Sequence, residues 1–168
     1  MNDAGSTALL LSAEDVPPVQ EFNVEGRSPY LLTCDHYGRL IPRMLGDLGL
    51  PESELKRHIG WDIGIAGVAE ALSRHLDAHL IVQRYSRLVI DCNRPPHVAS
   101  SIPRISEATT IPGNEGLSRE AAAIRRAQIF DPYHRRIDEI IDHRRDAGGP
   151  TVLVSLHQVE YARRYCRR

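Results

Sequence analysis

Two histidines follow two short apolar segments that lie far apart in the chain. Asp35 and His36 come directly after residues 29–34, and His157 comes directly after residues 151–156. Each segment is short, apolar and bounded by turn residues, which predicts a buried β-strand. Ligands and reacting groups collect beyond the carboxyl ends of the strands in an open α/β sheet. If both segments join one sheet, the two imidazoles can meet there and bind a mononuclear zinc ion.

Asp62 is the best candidate for a third ligand, since a hydrolytic zinc site takes three protein ligands and leaves one position for water. It lies on the connection that leaves the His36 strand, just before an apolar helical pattern. The alternative role of Asp62 is the N-cap of that helix, and the two roles are compatible. Asp35 could orient the His36 ring, because a metal-bound imidazole usually donates its other N–H to a carboxylate. Each histidine could also be an ordinary polar residue in a turn.

A second group of polar residues surrounds the third predicted strand. Arg87 precedes this strand, and Asn93 and Arg94 follow it. A guanidinium fork holds a carboxylate at two points and an amide adds a donor, so this group predicts a substrate carboxylate. The alternative is an internal ion pair between Asp91 and one of the arginines. His134, at a predicted helix start, could line the same pocket.

The apolar pattern predicts an α/β protein with a mixed sheet and the order β-α-β-β-loop-α-α-β. Residues 79–83 and 88–91 are the second and third strands, and their short connection predicts an antiparallel pair. Residues 95–116 show no sustained periodicity of apolar residues, which predicts a long, functional loop. Ser118 caps the next helix, which restarts at Pro132.

The composition of the 168 residues predicts one globular domain with a flexible leader over residues 1–22. The formal net charge of −1 gives no reason to expect nucleic acid or an anionic membrane as a partner. No apolar stretch approaches the ~20 residues of a membrane span. Cys34, Cys92 and Cys166 are odd in number and widely spaced, which favours reduced, buried thiols and a cytoplasmic protein.

Several of these segments, in this order, resemble the N-formylglutamate amidohydrolase family. The matching segments are residues 35–38, 61–64, 85–95, 111–114, 132–134 and 154–157. The resemblance implies a mixed β-sheet between helices, a three-layer sandwich similar to the zinc carboxypeptidases and aspartoacylases. It also implies hydrolysis of small N-acylated amino acids, with release of formate and glutamate in histidine breakdown.

The resemblance also implies roles for individual residues. The zinc ligands would be His36, His157 and, as the third, Asp62. The residues that bind the substrate would be Asn93 and Arg94 as a carboxylate clamp, Arg87 as a helper, and His134. The implied partner is a small N-acyl amino acid, and a carboxylate would carry the proton from water to the leaving amine.

The chain departs from the family after the last predicted strand. Family members continue well beyond it, and the continuation supplies further strands and the acidic residue expected as general base. Here residues 23–157 form the expected domain and residues 158–168 an atypical basic tail, which we interpret as a truncated product. Gln158 stands where the family favours a small hydroxyl residue. Glu115 and Glu160 are candidates for the base, without a positional argument.

The departure leaves an alternative function open. The chain could be a catalytically incomplete remnant, or a domain that binds a metal or a small molecule without turnover. Missing strands would leave an exposed sheet edge, which predicts self-association.

Overall fold

The computed structural model describes residues 9–158, which form a mixed α/β fold around a four-stranded sheet in the order β1-β3-β2-β6. β2 runs parallel to both of its neighbours, and β1 runs antiparallel to β3, so the predicted mixed sheet is confirmed. A separate antiparallel pair joins β4 to β5. The strands are β1 (Val19–Phe22), β2 (Tyr30–Cys34), β3 (His79–Gln83), β4 (Ile105–Ser106), β5 (Thr109–Thr110) and β6 (Val152–Ser155).

Helices pack on both faces of the sheet because alternate strand residues point to opposite sides. On one face, Leu32 and Leu80 share a buried cluster with Ile65 of α2. On the other face, Leu31 shares a buried cluster with Tyr133 of α4. The finer assignment to a zinc-carboxypeptidase-like sandwich stays a prediction. The helices are α1 (Glu52–Leu55), α2 (Ile65–His75), α3 (Arg119–Arg125) and α4 (Asp131–Asp146), with a π-helical turn, Arg126–Phe130, between the last two.

The segment predicted as a flexible leader contains the first strand. Residues 1–8 lie outside the described part of the chain, but Leu10 is buried in the core and β1 pairs with β3 along its full length. The sequence Val-Gln-Glu-Phe carries too few apolar residues to predict a strand by itself. This segment becomes a strand because it pairs with the edge of β3, and such a long-range pairing cannot be read from the local sequence.

The strand predicted over residues 88–91 is wrong, and so is the hairpin it would form. This segment is a buried turn in which the Val89 N–H donates to the Ser86 carbonyl. The buried guanidinium of Arg125 donates to the Val89 carbonyl at 3.0 Å and to Asn114 Oδ1 at 2.6 Å. A side chain from another element therefore satisfies the backbone that a neighbouring strand would otherwise satisfy.

The helix starts agree with the sequence in one case and differ in another. Ser118 caps α3 as predicted, and its Oγ accepts a hydrogen bond from the Ala121 N–H at 3.1 Å. Asp62 is not the N-cap of α2, because the residue before that helix is Gly64 in a left-handed conformation with φ of 83°. The Asp62 carboxylate is thereby left for other contacts.

Two of the three cysteines lie in the described residues, and both are buried free thiols. Burial raises the pKa of Cys34 and of Cys92 to about 12, so both stay protonated and unreactive. Cys166 lies outside the described residues. Within residues 9–158, no helix has the length and apolar character needed to cross a membrane.

Candidate metal centre and substrate pocket

Three potential ligands meet beyond the carboxyl ends of two neighbouring strands. His36 lies two residues after β2 and His157 lies two residues after β6, and these strands are parallel and hydrogen-bonded. The Asp62 N–H donates to the His36 carbonyl at 3.0 Å, which brings the loop before α2 to the same place. One ligand atom from each of the three residues lies within 4.8 Å of the others. We call His36, Asp62 and His157 the ligand group.

The ring nitrogens that face the centre of the ligand group have no hydrogen-bond partner. His36 Nδ1 lies 3.5 Å from Asp62 Oδ1, and His157 Nδ1 lies 3.9 Å from Asp62 Oδ2. Both Nδ1 atoms are buried and unpaired. Buried polar atoms without a partner are rare, and here two of them converge on one carboxylate. Two neutral imidazoles and a carboxylate are a donor set that suits zinc, so the residues present fit such an ion.

Asp91, and not Asp35, orients the His36 ring. His36 Nε2 lies 2.7 Å from Asp91 Oδ1. Arg87 donates to the other oxygen of Asp91 at 2.9 Å, and the Asn93 N–H donates to Oδ1 at 2.9 Å. The proposed role of Asp35 toward His36 is therefore wrong. The alternative of an internal Arg87–Asp91 ion pair is the arrangement observed.

Asp35 instead lies beside the second histidine. Its Oδ2 is 3.4 Å from His157 Nε2, and its Oδ1 accepts a hydrogen bond from the Tyr133 hydroxyl at 2.6 Å. Ser155 Oγ lies 2.7 Å from the same His157 nitrogen. Each imidazole of the ligand group thus has partners at Nε2 while its Nδ1 faces Asp62. This is the arrangement in which outer residues fix a metal-binding imidazole.

The electrostatics of the site favour ionised carboxylates around His36. Burial lowers the pKa of His36, but the nearby Asp62 and Asp91 carboxylates outweigh it, so the pKa is raised overall. Burial raises the pKa of Asp62 and of Asp91, yet the contacts with His36 and the charge of Arg87 bring both below the ordinary value. In the absence of a metal, the positive charge that balances these carboxylates is shared by His36 and Arg87.

An open pocket of about 460 Å³ lies beside Asp35 and Ser155, the residues that contact His157 Nε2. Three of the residues predicted to bind the substrate line it: Asn93, Arg94 and His134. Asp35 and Ser155 lie in the same wall, so the pocket reaches the residues that contact His157. The apolar part of the wall consists of Cys92, Pro95, Phe130, Ile137, Ile141 and Leu153. We call this space the Arg94 pocket.

Other predicted site residues lie elsewhere. Arg87 does not line the Arg94 pocket; its guanidinium lies between Asp91 and Asp62, with Nη1 3.6 Å from Asp62 Oδ1. Glu115 is exposed after the 3₁₀ turn Pro112–Asn114, and none of the contacts found among the described residues joins it to the ligand group. Glu160 lies outside the described residues.

The sequence did not single out three residues that complete the site. Asp91 appeared only as the partner of an arginine, whereas Tyr133 and Ser155 belong to the family-like segments but received no role. Polar residues next to a predicted ligand, such as Ser155 before His157, are a usable signal. The link from Asp91 to His36 spans 55 positions, and nothing local indicates it.

The comparison with protein-family models identifies one family. A family model described as N-formylglutamate amidohydrolase matches residues 28–165. An N-formylglutamate deformylase from Pseudomonas putida is 28% identical over 145 residues, which cover 80% of this chain and 53% of that relative. The chain thus spans about half the length of the curated relatives it matches.

Solved structures share the fold. Gene product Atu2144 from Agrobacterium tumefaciens is 38% identical with a TM-score of 0.86, over 88% of this chain and 59% of that one. An N-formylglutamate amidohydrolase from Ralstonia eutropha JMP134 has a TM-score of 0.64 at 19% identity, over 91% of this chain and 62% of that one. The second likeness is evidence for the fold alone.

A different kind of protein also matches in sequence. A phosphonates import ATP-binding protein, PhnC 1 of Pseudomonas aeruginosa, is 32% identical over 151 residues, which cover 89% of this chain and 47% of that relative. The phosphate loop typical of such ATP-binding proteins ends in Gly-Lys-Ser or Gly-Lys-Thr. Lys56 is the sole lysine among the 168 residues, and it follows Leu55. This match therefore does not bring that loop into the chain.

Proposed function

Because this chain belongs to the N-formylglutamate amidohydrolase family, we propose that it hydrolyses the amide bond of N-formyl amino acids such as N-formylglutamate, with zinc at the ligand group. The observation that carries the proposal is the pair of buried, unpaired Nδ1 atoms of His36 and His157 that converge on Asp62. If these three residues only stabilised the fold, the two buried Nδ1 atoms would be expected to have hydrogen-bond partners within the protein.

A zinc ion in this position supplies Lewis acidity, which polarises an amide carbonyl and lowers the pKa of water toward neutrality. The protein residues hold the ring orientations that such an ion needs. Asp91 accepts the Nε2–H of His36, and the Arg87 guanidinium keeps that carboxylate ionised and in place. The lone pair of His36 Nδ1 is thereby directed toward Asp62.

The Arg94 pocket would bind the amino acid part of the substrate. Arg94 is about half exposed and lies 3.9 Å from Asp91, so its guanidinium is only loosely paired within the protein. A substrate carboxylate can therefore accept hydrogen bonds from Arg94 and from the Asn93 amide. His134 is positioned beside them by a hydrogen bond to the Cys92 carbonyl at 2.9 Å. With Nε2 donating there, its Nδ1 is available as an acceptor.

One observation favours a second candidate, a domain that binds zinc and the amino acid without turnover. Amide hydrolysis needs a group that moves the proton from water to the leaving amine. In the described part of the chain, the carboxylates of Asp35, Asp62 and Asp91 beside the site all have protein partners. Of the two glutamates proposed as the base, Glu115 lies away from the group and Glu160 is not described.

The decisive experiment measures zinc content and formate release together. We would compare the purified wild-type chain, His157→Ala, and a control His143→Ala that removes an exposed histidine of α4. About one zinc per chain in the wild type and the control, lost in His157→Ala, supports the metal site. Release of formate from N-formylglutamate by the zinc-loaded wild type then supports the enzyme.

Zinc binding without formate release overturns the hydrolase and leaves the second candidate. Absence of zinc from the wild-type chain, after exposure to the metal during purification, overturns the metal site itself. Acetyl- and aspartyl-substituted substrates in the same assay define which acyl group and amino acid are accepted.

A further inference from the structure

We propose that Asp35 and Tyr133 are positioning residues that keep His157 in the tautomer with an unprotonated Nδ1. The inference deepens the metal site proposed above and rests on it for its functional meaning. It gives a role to a buried carboxylate and a buried phenol that lie outside the ligand group.

Successive side-chain contacts connect α4 to the residue after β6. Tyr133 is fully buried in the first turn of α4, directly after the π-helical turn, and its hydroxyl donates to Asp35 Oδ1 at 2.6 Å. The other oxygen of Asp35 lies 3.4 Å from His157 Nε2. One carboxylate thus links the helix on one side of the sheet to the residue that follows β6.

Asp35 determines the tautomer, although Ser155 is closer to the ring. Ser155 Oγ lies 2.7 Å from His157 Nε2, but a hydroxyl can donate or accept and therefore fits either tautomer. A carboxylate oxygen can only accept, and Asp35 lies 3.4 Å from Nε2 whereas Asp62 lies 3.9 Å from Nδ1, so the nearer carboxylate favours the proton on Nε2. The lone pair then resides on His157 Nδ1, which faces Asp62.

Tyr133 is needed because Asp35 is buried. A buried carboxylate without donors is costly, and the Tyr133 hydroxyl satisfies Oδ1 while it fixes the rotation of the group. Burial and the charge of Asp35 raise the pKa of Tyr133 well above its usual value, so the phenol remains a donor. Arg87 serves Asp91 in the same way beside His36, so each imidazole has a carboxylate held by a further donor.

The first test compares Tyr133→Phe with Tyr85→Phe. Tyr85 is also buried, and its hydroxyl donates to the Val16 carbonyl at 2.7 Å, so both variants lose one buried hydroxyl. Competition with a chromophoric chelator should show a zinc Kd raised ~10-fold or more in Tyr133→Phe, as for other outer residues of metal sites. Tyr85→Phe should leave the Kd unchanged. Equal Kd values in the two variants overturn the proposal.

The second test needs no metal and is read on the chelator-treated protein. Nitrogen-15 NMR of the imidazoles at mildly alkaline pH should show the His157 proton on Nε2 in the wild type. Tyr133→Phe and Asp35→Asn should shift the proton toward Nδ1, and circular dichroism verifies that both remain folded. If Tyr133→Phe does not fold, Asp35→Asn carries the same expectation.

A wild-type His157 with its proton on Nδ1 overturns the proposal. The NMR tautomer of His157 also distinguishes failure of the positioning role from failure of the proposed zinc-dependent function. A chain that binds no zinc but holds the Nε2–H tautomer contradicts the proposed function and retains the positioning role.

Discussion

His36 and Asp91 are 55 positions apart in the chain, and His36 Nε2 lies 2.7 Å from Asp91 Oδ1 in the folded protein. The Asp91 carboxylate is buried, and it is held by the Arg87 guanidinium and the Asn93 N–H. A turn that was predicted as a strand thus provides the group that orients His36, which lies two residues after β2. The consequences of this pair are measurable with and without metal.

Asp91→Asn should weaken zinc binding ~10–100-fold, because the neutral amide no longer fixes the Nε2–H of His36. Chelator competition on the purified variant measures the change in Kd. The matched control is Asp77→Asn, which alters an exposed carboxylate paired with Arg27. A Kd for Asp91→Asn equal to that of the control would contradict an orienting role.

Arg94→Met should reduce the affinity of the zinc-loaded chain for N-formylglutamate ~10-fold or more, because charge-assisted hydrogen bonds to the substrate carboxylate are lost. Titration calorimetry measures this affinity without requiring turnover. The zinc content should stay at the wild-type level, since Arg94 lies outside the ligand group. Arg104→Met, an exposed arginine away from the Arg94 pocket, is the control. An unchanged affinity would remove Arg94 from the clamp.

The metal-free protein should lose stability as the pH rises above the ordinary histidine range. Burial lowers the pKa of His36, but the adjacent Asp62 and Asp91 carboxylates raise it overall. A raised pKa stabilises the fold below the unfolded value of ~6.5, and this contribution is lost as the pH rises through the folded value. The urea concentration at the unfolding midpoint of the chelator-treated chain should therefore fall as the pH rises above ~6.5.

In His36→Gln, the decrease of the urea midpoint with rising pH should be smaller than in the wild type. In His143→Gln, the decrease should be the same as in the wild type. The window begins at ~pH 6.5 because burial lowers the pKa of His79, which gives the opposite slope at more acid pH. The lowered pKa values of Asp62 and Asp91 act only in acid, where protonation removes their contribution. If the urea midpoint of His36→Gln falls with pH as steeply as that of the wild type, another titratable group causes the pH dependence.

Leu153→Lys should reduce self-association of the chain. In the described part of the chain, β6 is an edge strand, and Leu153 is 51% exposed beside backbone groups that no described strand pairs. Sedimentation velocity at several concentrations measures the shift toward monomer. Val68→Lys is the control, since Val68 is 53% exposed but lies on α2. A wild-type chain that is monomeric at all concentrations would contradict the predicted self-association.

Three strands of the sheet were predictable because they are continuous apolar runs. β2 and β3 are central strands, and β6 lies at the edge of the described sheet but is apolar, so all three carry that signal. The run at residues 88–91 carries the same signal but is buried as a turn, because Arg125 reaches its backbone from another element. A buried turn and a buried strand have the same local composition, so the sequence cannot separate them.

The ligand group was predictable because strand ends in an open sheet meet at one edge. His36 and His157 follow neighbouring parallel strands, as predicted. The carboxylate partners were exchanged: Asp35 adjoins His36 in sequence but contacts His157 in space. Adjacent side chains at a strand end point in different directions, and only the packing of α4 decides which one Asp35 meets.

Among the strands of residues 9–158, β6 is hydrogen-bonded to one neighbour. The residues directly after it complete the ligand group: His157 faces Asp62, and the Gln158 N–H donates to Asp62 Oδ2 at 2.8 Å. An edge strand opens locally at lower free energy than the centre of a sheet. Each local opening of β6 removes His157 from the ligand group, so at the proposed zinc site metal release and strand fraying would be a single equilibrium. A bound ion would stabilise the docked strand by mass action, and the affinity of the proposed site would therefore depend partly on the stability of the sheet edge.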